Sequence, residues 1–331
     1  MNKIILLDSN SIIHRAYHAL PSLNNSKGQA TGAIYGFLNI LISLIKKEQP
    51  THIAAAFDLK GATFRNEMYQ AYKATRKPME EELASQFEPI KKLLRLMGIK
   101  IVELQGYEGD DILGTLAKRF SEDTIIVTGD RDSFQLVSDS TRIYWTKKGI
   151  SDIEEIGLEK LKEMGFTPQS YIDYKALRGD PSDNIPGIAG VGEKTAISLL
   201  EKYKSLDEVL NCSSEISGKV GDTIRNSREI ALLSRALATI NCDAPLDCTL
   251  KCIEFNDTFS TAVKDYLSEL EITSVLKRMK FNEHDAEEDK QEIQEKQAII
   301  DKVIIKDETT LDLVFKNSSD KIAILIDERI S

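Results

Sequence analysis

Short apolar runs alternate with longer amphipathic stretches over the first 150 residues of the chain. Apolar runs bounded by polar positions are typical of buried strands, and the intervening stretches have the spacing of helices. This alternation predicts an α/β fold with a mostly parallel central sheet and helices on both faces. The predicted strands are Lys3–Leu7, His52–Phe57, Lys100–Val102, Thr124–Val127 and Arg142–Tyr144.

A helical pattern follows from about residue 155 to residue 280. At its centre, SDNIPGIAGVGEKTAISLLEKY places Gly187, Gly190 and Gly192 in a tight hairpin before a helix that carries Lys194 in its first turn. Such a hairpin offers backbone N–H groups and a positive helix end to a phosphate. A lone glycine-rich turn is usually an ordinary connection between helices, but this one directly follows two of the acids described below.

The chain therefore divides into an α/β domain at 1–170 and a helical subdomain at 171–282. Residues 283–297 are acidic, polar and without an apolar period, which predicts a linker. The remaining segment, 298–331, has a strand, helix and strand pattern and is too short to bury a core of its own. It either docks on the body or begins a further domain that is cut short.

Carboxylates occur where the predicted strands end. KIILLD ends at an acid, IAAAFD ends at another, and the segments GYEGDD, TGDRD and RGDPSDN add more. Ligands of open α/β sheets bind beyond the carboxyl ends of the strands, so we expect these side chains to share one cleft. They are Asp8, Asp58, Glu108, Asp110, Asp111, Asp130, Asp132, Asp180 and Asp183.

A single Asp after a strand is usually a helix cap or a turn residue, which is the simpler interpretation of Asp8 or Asp58 alone. GYEGDD places three acids within four residues, more than capping needs. Clustered carboxylates repel one another unless cations neutralise them. Hard oxygen ligands suit Mg²⁺ or Mn²⁺, and two such ions can carry out in-line phosphodiester hydrolysis. The acids therefore predict a metal-dependent nuclease.

Composition sets wider limits. The chain has 331 residues, 41% of them hydrophobic and 29% charged, which fits a soluble globular protein of two or more domains. No apolar run approaches the roughly 20 residues needed to span a bilayer, so we expect no membrane partner. The start, MNKIILLDSN, reaches an acid too soon for a signal peptide, and the expected location is cytoplasmic.

The net charge of −10 at first argues against a nucleic-acid partner. The distribution changes that picture, because residues 1–100 carry 14 Lys and Arg against 8 Asp and Glu. The acidic excess lies elsewhere, partly in the proposed metal ligands and partly in residues 283–331, with 14 acids against 7 bases. Bound cations would offset the first of these contributions.

Other candidate ligands are weak. Cys212, Cys242, Cys248 and Cys252 form no CxxC pair, which makes zinc unlikely on spacing grounds and predicts reduced thiols. His14 and His18 lie four apart on a predicted helix without a carboxylate at metal-ligand spacing on that helix. We interpret them as packing or surface residues.

Basic and aromatic residues interleave between the second and third strands, in FRNEMYQAYKATRKPMEEELASQFEPIKKLLRLMG. The pattern breaks at Pro78 and resumes as an amphipathic helix. Interleaved bases and tyrosines suit phosphate contacts with base stacking, but a solvated helix face explains the composition equally well. The residues are Arg65, Tyr69, Tyr72, Lys73, Arg76 and Lys77.

Several long motifs in order resemble the 5′-nuclease family, which includes flap endonucleases and the 5′→3′ exonuclease domains at the N-terminus of bacterial DNA polymerases. They are LLDSNSIIHRAYHAL, FDLKGATFRNEMYQAYKATR, GYEGDD, TGDRDSFQL and RGDPSDNIPGIAGVGEKTA, and the similarity runs through residues 1–280. The resemblance implies the PIN-like 5′-nuclease fold followed by a helix–hairpin–helix-type element. Gly109 stands where relatives often have Ala.

By this resemblance, the nine acids fall on family positions that hold two divalent ions, directly or through water. Arg15, Arg65, Tyr72, Lys73 and Arg76 match catalytic positions near the scissile phosphate, on or beside a helical arch at about 64–95. The duplex-binding positions, near which the family often holds K⁺, are Gly187, Gly190, Gly192, Lys194 and Thr195. Residues 302–331 resemble the start of a 3′→5′ exonuclease-like domain, but Asp327 and Glu328 are adjacent and lack its Asp-x-Glu spacing.

The function implied is a structure-specific 5′ nuclease with two Mg²⁺ ions, for which Mn²⁺ can substitute. The expected partners are DNA with 5′ single-stranded flaps or nicks and RNA–DNA primer junctions, and the expected state is a monomer. Two alternatives remain open. A PIN-like ribonuclease shares the acidic cleft but normally lacks the segment 184–197, and a catalytically silent DNA-binding module would be expected to have lost some of the acids.

Overall fold

A six-stranded sheet forms the centre of the structure, which is a computed structural model that describes residues 2–20, 23–149 and 152–282. These residues belong to one compact unit, Met1–Asn282. The predicted linker and the segment 298–331, with Asp327 and Glu328, lie outside the described residues.

The sheet has the strand order β3-β2-β1-β4-β5-β6, and its first five strands are parallel. The predicted α/β fold with a mostly parallel sheet is therefore confirmed. β6 runs antiparallel to β5 at the edge. The strands are β1 Lys3–Asp8, β2 His52–Ala56, β3 Lys100–Val102, β4 Asp123–Thr128, β5 Thr141–Lys148 and β6 Asp152–Ile156, with a separate parallel pair, β7 Thr258–Phe259 and β8 Lys280–Phe281.

Thirteen α-helices lie in the described part of the chain. The first six belong to the α/β region and the next six to the helical region, and the last follows β7. They are α1 Ser9–Ala19, α2 Gly32–Glu48, α3 Phe64–Met68, α4 Glu81–Ala84, α5 Phe87–Leu96, α6 Gly109–Phe120, α7 Leu158–Glu163, α8 Pro168–Arg178, α9 Glu193–Tyr203, α10 Leu206–Asn211, α11 Gly218–Arg225, α12 Arg228–Ala238 and α13 Thr261–Glu269.

The alternation of side chains along each strand builds a core on each face of the sheet. In β1, Ile4 and Leu6 belong to the core that includes α6, α8 and α9. Ile5 and Leu7 belong to the other core, with α1, α2 and α5. Both faces are covered, as buried parallel strands require. None of the helices in the described ranges is long and apolar enough to cross a membrane.

Two segments differ from the sequence prediction. β6 was not predicted, because DIEEI alternates weakly and pairs only at the edge of the sheet. The last part of the predicted helical region, from β7 to β8, packs with Phe259, Val263 and Leu267 against the core of α2 and α5. This segment therefore returns to the α/β region, and its apolar spacing alone did not show which core it joins.

Candidate active site

Three neighbouring strands place acids at one edge of the sheet. β2, β1 and β4 are adjacent, and Asp58, Asp8 and Asp130 stand at or just beyond their carboxyl ends. Asp110 approaches from the first turn of α6. All four, with Glu108, line one cleft of about 720 Å³. The predicted convergence at the strand ends is present for these five acids.

Asp8 has two roles that the sequence presented as alternatives. Its Oδ1 accepts a hydrogen bond from the Ser11 backbone N–H at 3.1 Å and caps α1. Its Oδ2 accepts one from Thr128 Oγ1 at 2.5 Å, across to the end of β4. Burial raises the pKa of Asp8 to about 7 against these two bonds, and the charges of Asp58 and Asp130 add to the rise. Asp8 caps a helix and also faces the cleft.

The start of α6 separates the three acids of GYEGDD. Glu108 is the N-cap residue, and Asp110 faces the cleft, where its one hydrogen bond among the described residues comes from Ser133 Oγ at 3.4 Å. Burial, followed by the charges of Asp8 and Asp130, raises the pKa of Asp110 well above its usual range. Asp58 is tied to the same turn, because the Gly109 N–H donates to its Oδ1 at 2.6 Å.

Asp111 points away from this cleft. Both of its oxygens bind the Arg65 guanidinium at 2.8 Å, and it also accepts from the backbone of Asn241 and Glu108. Asp111 is fully buried and Arg65 is 2% exposed. In this arrangement both oxygens of Asp111 are engaged in hydrogen bonds and Arg65 is shielded from solvent, so neither side chain lines the cleft.

Two of the predicted catalytic cations do face the acids. Lys73 Nζ lies 2.8 Å from Glu108 Oε2, and Arg76 Nη2 lies 2.5 Å from Asp183 Oδ1. Burial alone would lower the pKa of Lys73, but Glu108 and Asp183 raise it, so the amine stays charged. Tyr72 is buried and donates its O–H to Glu108 at 3.1 Å, which places it behind the cleft wall.

The segment that carries Lys73 is fixed to the loop that follows α8. The Lys73 N–H donates to the Asp183 carbonyl at 2.9 Å, and Asn184 Nδ2 donates to the Ala71 carbonyl at 2.8 Å. Lys73 and Asn184 both have left-handed backbones, with φ of 55° and 60°. Asn tolerates this conformation better than most residues, whereas Lys seldom adopts it. Strained backbone conformations of this kind cluster at functional sites, which agrees with Lys73 as a candidate catalytic residue.

Asp132 and Asp180 form a separate pair around Lys175, a residue of α8. Lys175 Nζ lies 2.5 Å from Asp132 Oδ1 and 2.5 Å from Asp180 Oδ2. Burial and the charge of Asp130 raise the pKa of Asp132 to about 6. Burial would also raise the pKa of Asp180, but Lys175 and Ser182 donate to it and lower it to about 2. Neither carboxylate lines the cleft.

The acids of the cleft fit a divalent ion in donor chemistry. Over residues 2–20, 23–149 and 152–282, no three His, Cys, Asp or Glu side chains are close enough to hold an ion as they stand. The raised pKa values of Asp8 and Asp110 reflect burial and uncompensated like charge, which a hard cation would relieve. An ion bound here must draw the carboxylates together.

Basic and aromatic side chains line the same cleft as the acids. Arg15, Lys77 and Met79 are among its lining residues. His14 and His18 also line it, with ring centroids 6.4 Å apart. Our interpretation of these histidines as packing or surface residues was incomplete, because α1 begins directly at Asp8 and its exposed face necessarily borders the acids.

The glycine hairpin leads into α9. Gly187 has φ 61°, and a Cβ there would lie 2.3 Å from the Gly179 nitrogen. Gly190 has φ 81°, whereas Gly192 has φ −86° with open space around it. The backbone at Gly192 therefore does not need glycine. No side chain caps α9, Lys194 is exposed and Thr195 is half-buried, so this helix end presents free N–H groups.

Sequence reasoning missed four residues of the site. Lys175 and Thr128 hold candidate ligands, Asn184 ties the loop to residue 71, and Ser133 contacts Asp110. Thr128 stands immediately before the GD of TGDRD, which was the available signal. Lys175 is remote in sequence from Asp132, and only the packing of α8 brings them together.

Two family models match consecutive parts of the chain. The 5′-3′ exonuclease, N-terminal resolvase-like domain matches residues 3–165, and the 5′-3′ exonuclease, C-terminal SAM fold matches residues 166–260. An acidic cleft on an α/β sheet, continued by a helical region, is thus the architecture of a nuclease. The chain belongs to the 5′-3′ exonuclease family, whose members act on DNA.

Curated relatives include longer proteins. The chain is 43% identical over 282 residues to DNA polymerase I of Bacillus caldotenax, covering 84% of this chain and 32% of that protein. It is 41% identical over 292 residues to DNA polymerase I of Bacillus subtilis, covering 87% and 33%. The chain thus spans about a third of the length of these relatives.

Among solved structures, the fold is similar to the D15 flap endonuclease of bacteriophage T5, in a complex with DNA and metal ions. The TM-score is 0.60 at 19% identity, and the match covers 82% of this chain and all of that one. The predicted fold, a PIN-like sheet with a helical subdomain, is confirmed by this likeness.

Proposed function

We propose that this chain is a 5′→3′ exonuclease and structure-specific 5′ flap endonuclease. The observation that carries the proposal is the cleft itself, which is lined by Asp8, Asp58, Asp110 and Asp130 together with Lys73 and Arg76. Acids that suit hard cations, together with fixed cations in the same cleft, match the needs of phosphodiester hydrolysis.

Asp8, Asp58, Asp110 and Asp130 would hold Mg²⁺, with Glu108 beside them, and Mn²⁺ is expected to substitute. Bound there, divalent ions would activate water and stabilise charge on the leaving oxygen. Lys73 and Arg76 now form ion pairs with Glu108 and Asp183, respectively. In the complex, the negatively charged phosphate of the substrate would replace these carboxylates as the partner of both side chains.

The hairpin 187–192 and the free N-terminus of α9 would bind the duplex next to the cut. Backbone N–H groups and Lys194 would supply the phosphate contacts. The resemblance to the 5′-nuclease family implies a K⁺ ion near this turn. The substrates would be 5′ flaps, nicks and RNA–DNA primer junctions, bound by a monomer. The similarity to part of DNA polymerase I suggests a role in primer removal and repair.

Cleavage of a 5′-labelled flap DNA tests the proposal, alongside single-stranded RNA of the same sequence. We expect Mg²⁺-dependent release of the flap near the junction, abolished by EDTA, with little cleavage of RNA. RNA cleavage in preference to the flap would support the PIN-like ribonuclease. Flap binding without any cleavage would support a silent DNA-binding module.

Asp110→Asn and Asp139→Asn are the matched variants for this assay. Both remove one Asp charge, but Asp110 lines the cleft and Asp139 is exposed outside it. We expect Asp110→Asn to lower the cleavage rate by on the order of a hundredfold or more, with DNA binding kept or strengthened. Equal rates for the two variants at saturating Mg²⁺ would contradict the assignment.

A further inference from the structure

The inner and outer acids differ in how their charge is balanced. The inner cluster comprises Asp8, Asp58, Asp110 and Asp130, which line the cleft, and the outer pair comprises Asp132 and Asp180. Within the described residues, no ion pair within 4.0 Å involves a member of the inner cluster, whereas both members of the outer pair contact Lys175. Among the described residues, a cation is therefore paired directly with the outer acids, and none is paired directly with the inner ones.

Lys175 is placed as a fixed internal charge. It is 8% exposed, and it projects from α8 between the 3₁₀-helix Asp132–Leu136 and the loop that begins at Gly179. Its Nζ touches one oxygen of each carboxylate at 2.5 Å. A buried ammonium is retained only where opposite charge surrounds it, so the three groups depend on one another.

The contacts at the outer pair are unequal. Asp180 also accepts hydrogen bonds from the Ser182 N–H and Oγ, at 2.8 and 2.6 Å. Asp132 Oδ1 is buried, and Lys175 is the only cation within 4.0 Å of Asp132 among the described residues. Asp132 therefore relies on the ammonium charge more than Asp180 does.

We propose that Lys175 is a built-in cation that holds Asp132 and Asp180 together and weakens binding of a divalent ion at this outer pair. The inference rests on the proposed function, which makes these acids candidate ligands. A divalent ion that approaches the outer pair must displace the ammonium or bind against its repulsion. An ion that enters the inner cluster has no directly paired ammonium to displace among the described residues, so the two positions differ in affinity.

Lys175→Met tests this, because Met has a similar length and no charge. The probe is Mn²⁺, followed by titration calorimetry and by thermal unfolding of the full chain. We expect the metal-free variant to unfold several degrees below wild type, because two carboxylates are left without a counter-charge. We also expect a second class of Mn²⁺ site to strengthen by on the order of tenfold or more, and Mn²⁺ to raise Tm more than in wild type.

Two controls isolate the charge at the outer pair. Lys175→Arg keeps the charge and should bind Mn²⁺ as wild type does. Lys118→Met removes an ammonium that pairs with Asp243 on the surface, at 2.7 Å, and should change neither Tm nor Mn²⁺ binding appreciably. Equal Mn²⁺ affinity and stoichiometry in wild type and Lys175→Met would overturn the proposal.

If Lys175→Met does not fold, a second comparison, in which Asp132 is also neutralised, still tests the proposal. The double variant Lys175→Met with Asp132→Asn is then compared with Asp132→Asn alone. The proposal requires tighter Mn²⁺ binding in the double variant, because Asp180 has lost its cation, and equal binding overturns it. These measurements do not involve cleavage, so a chain that fails to cut flap DNA would refute the proposed function and leave the result on Lys175 standing.

Discussion

The metal-free protein should lose stability as pH rises through neutrality. Burial and neighbouring acids raise the pKa of Asp8 from 3.8 to about 7. A carboxyl whose pKa is raised on folding contributes stability that is fully present below its unfolded pKa and is lost as pH rises through its folded pKa. Asp110 and Asp132 shift in the same direction, so the acids of the site act together.

The size of this effect follows from Asp8. A rise of roughly three pKa units corresponds to ~4 kcal/mol between the two protonation states. About 2 kcal/mol of this is lost between about pH 5.5 and about pH 8, because only part of the titration falls in that window. His14 works against the trend, since burial and His18 lower its pKa. The observed loss in wild type will therefore be smaller than the sum over the acids.

Urea unfolding in EDTA at these two pH values measures the loss, and Asp110→Asn isolates the acids from His14. The variant removes one of the buried charges, so its stability should fall less as pH rises. Mg²⁺ or Mn²⁺ should restore wild-type stability at the higher pH and have less effect at the lower pH, where protons occupy the carboxyls. Metal-free stability that rises with pH in wild type, or an equal slope in Asp110→Asn, would refute the reasoning.

Three further outcomes are expected. Lys73→Met should slow single-turnover cleavage of flap DNA on the order of a hundredfold and weaken duplex binding far less than that; the reverse pattern would make Lys73 a docking residue. Asp111→Asn should lower the free energy of unfolding by ~3 kcal/mol in urea, because Arg65 stays charged and buried, and a loss no larger than that of Asp139→Asn would contradict this. Gly187→Ala should destabilise the fold, because a Cβ there is crowded by backbone. Gly192→Ala should weaken duplex binding only and keep the free energy of unfolding within about 0.5 kcal/mol of wild type. Equal stability of the two variants would show that the crowding at Gly187 relaxes without cost.

The sequence predicted the parts of this protein that depend on local pattern. Continuous apolar runs located the first five strands, because a buried parallel strand needs side chains that are apolar on both faces. The position of an acid at a strand end located Asp8, Asp58 and Asp130 for the same reason, since parallel strands end at one edge. β6 was not predicted, because an edge strand with one packed face has a weaker apolar pattern in the sequence.

Side-chain direction and long-range pairing were not predictable in this way. Asp110 and Asp111 are adjacent and chemically alike, yet helical geometry sends one to the cleft and the other to Arg65. Nothing in GYEGDD distinguishes them, because the difference is made by a guanidinium 46 positions earlier in the chain. Lys175 escaped for a similar reason, since its partnership with Asp132 depends on how α8 packs.

The loop after α8 also fixes the distance between its candidate ligand carboxylates and the start of α9. Asp180 pairs with Ile185 in a short antiparallel bridge, and the backbones at Gly179 and Gly187 lie in close contact. The carboxylates at one end of this loop and the start of α9 at the other are therefore held by a rigid span of main chain. In the proposed nuclease this span would hold the bound phosphate of the duplex at a fixed distance from the scissile phosphate. The cleavage position would then be set by the distance from the duplex end and not by base sequence. Residues inserted between 180 and 192 would shift the cleavage position.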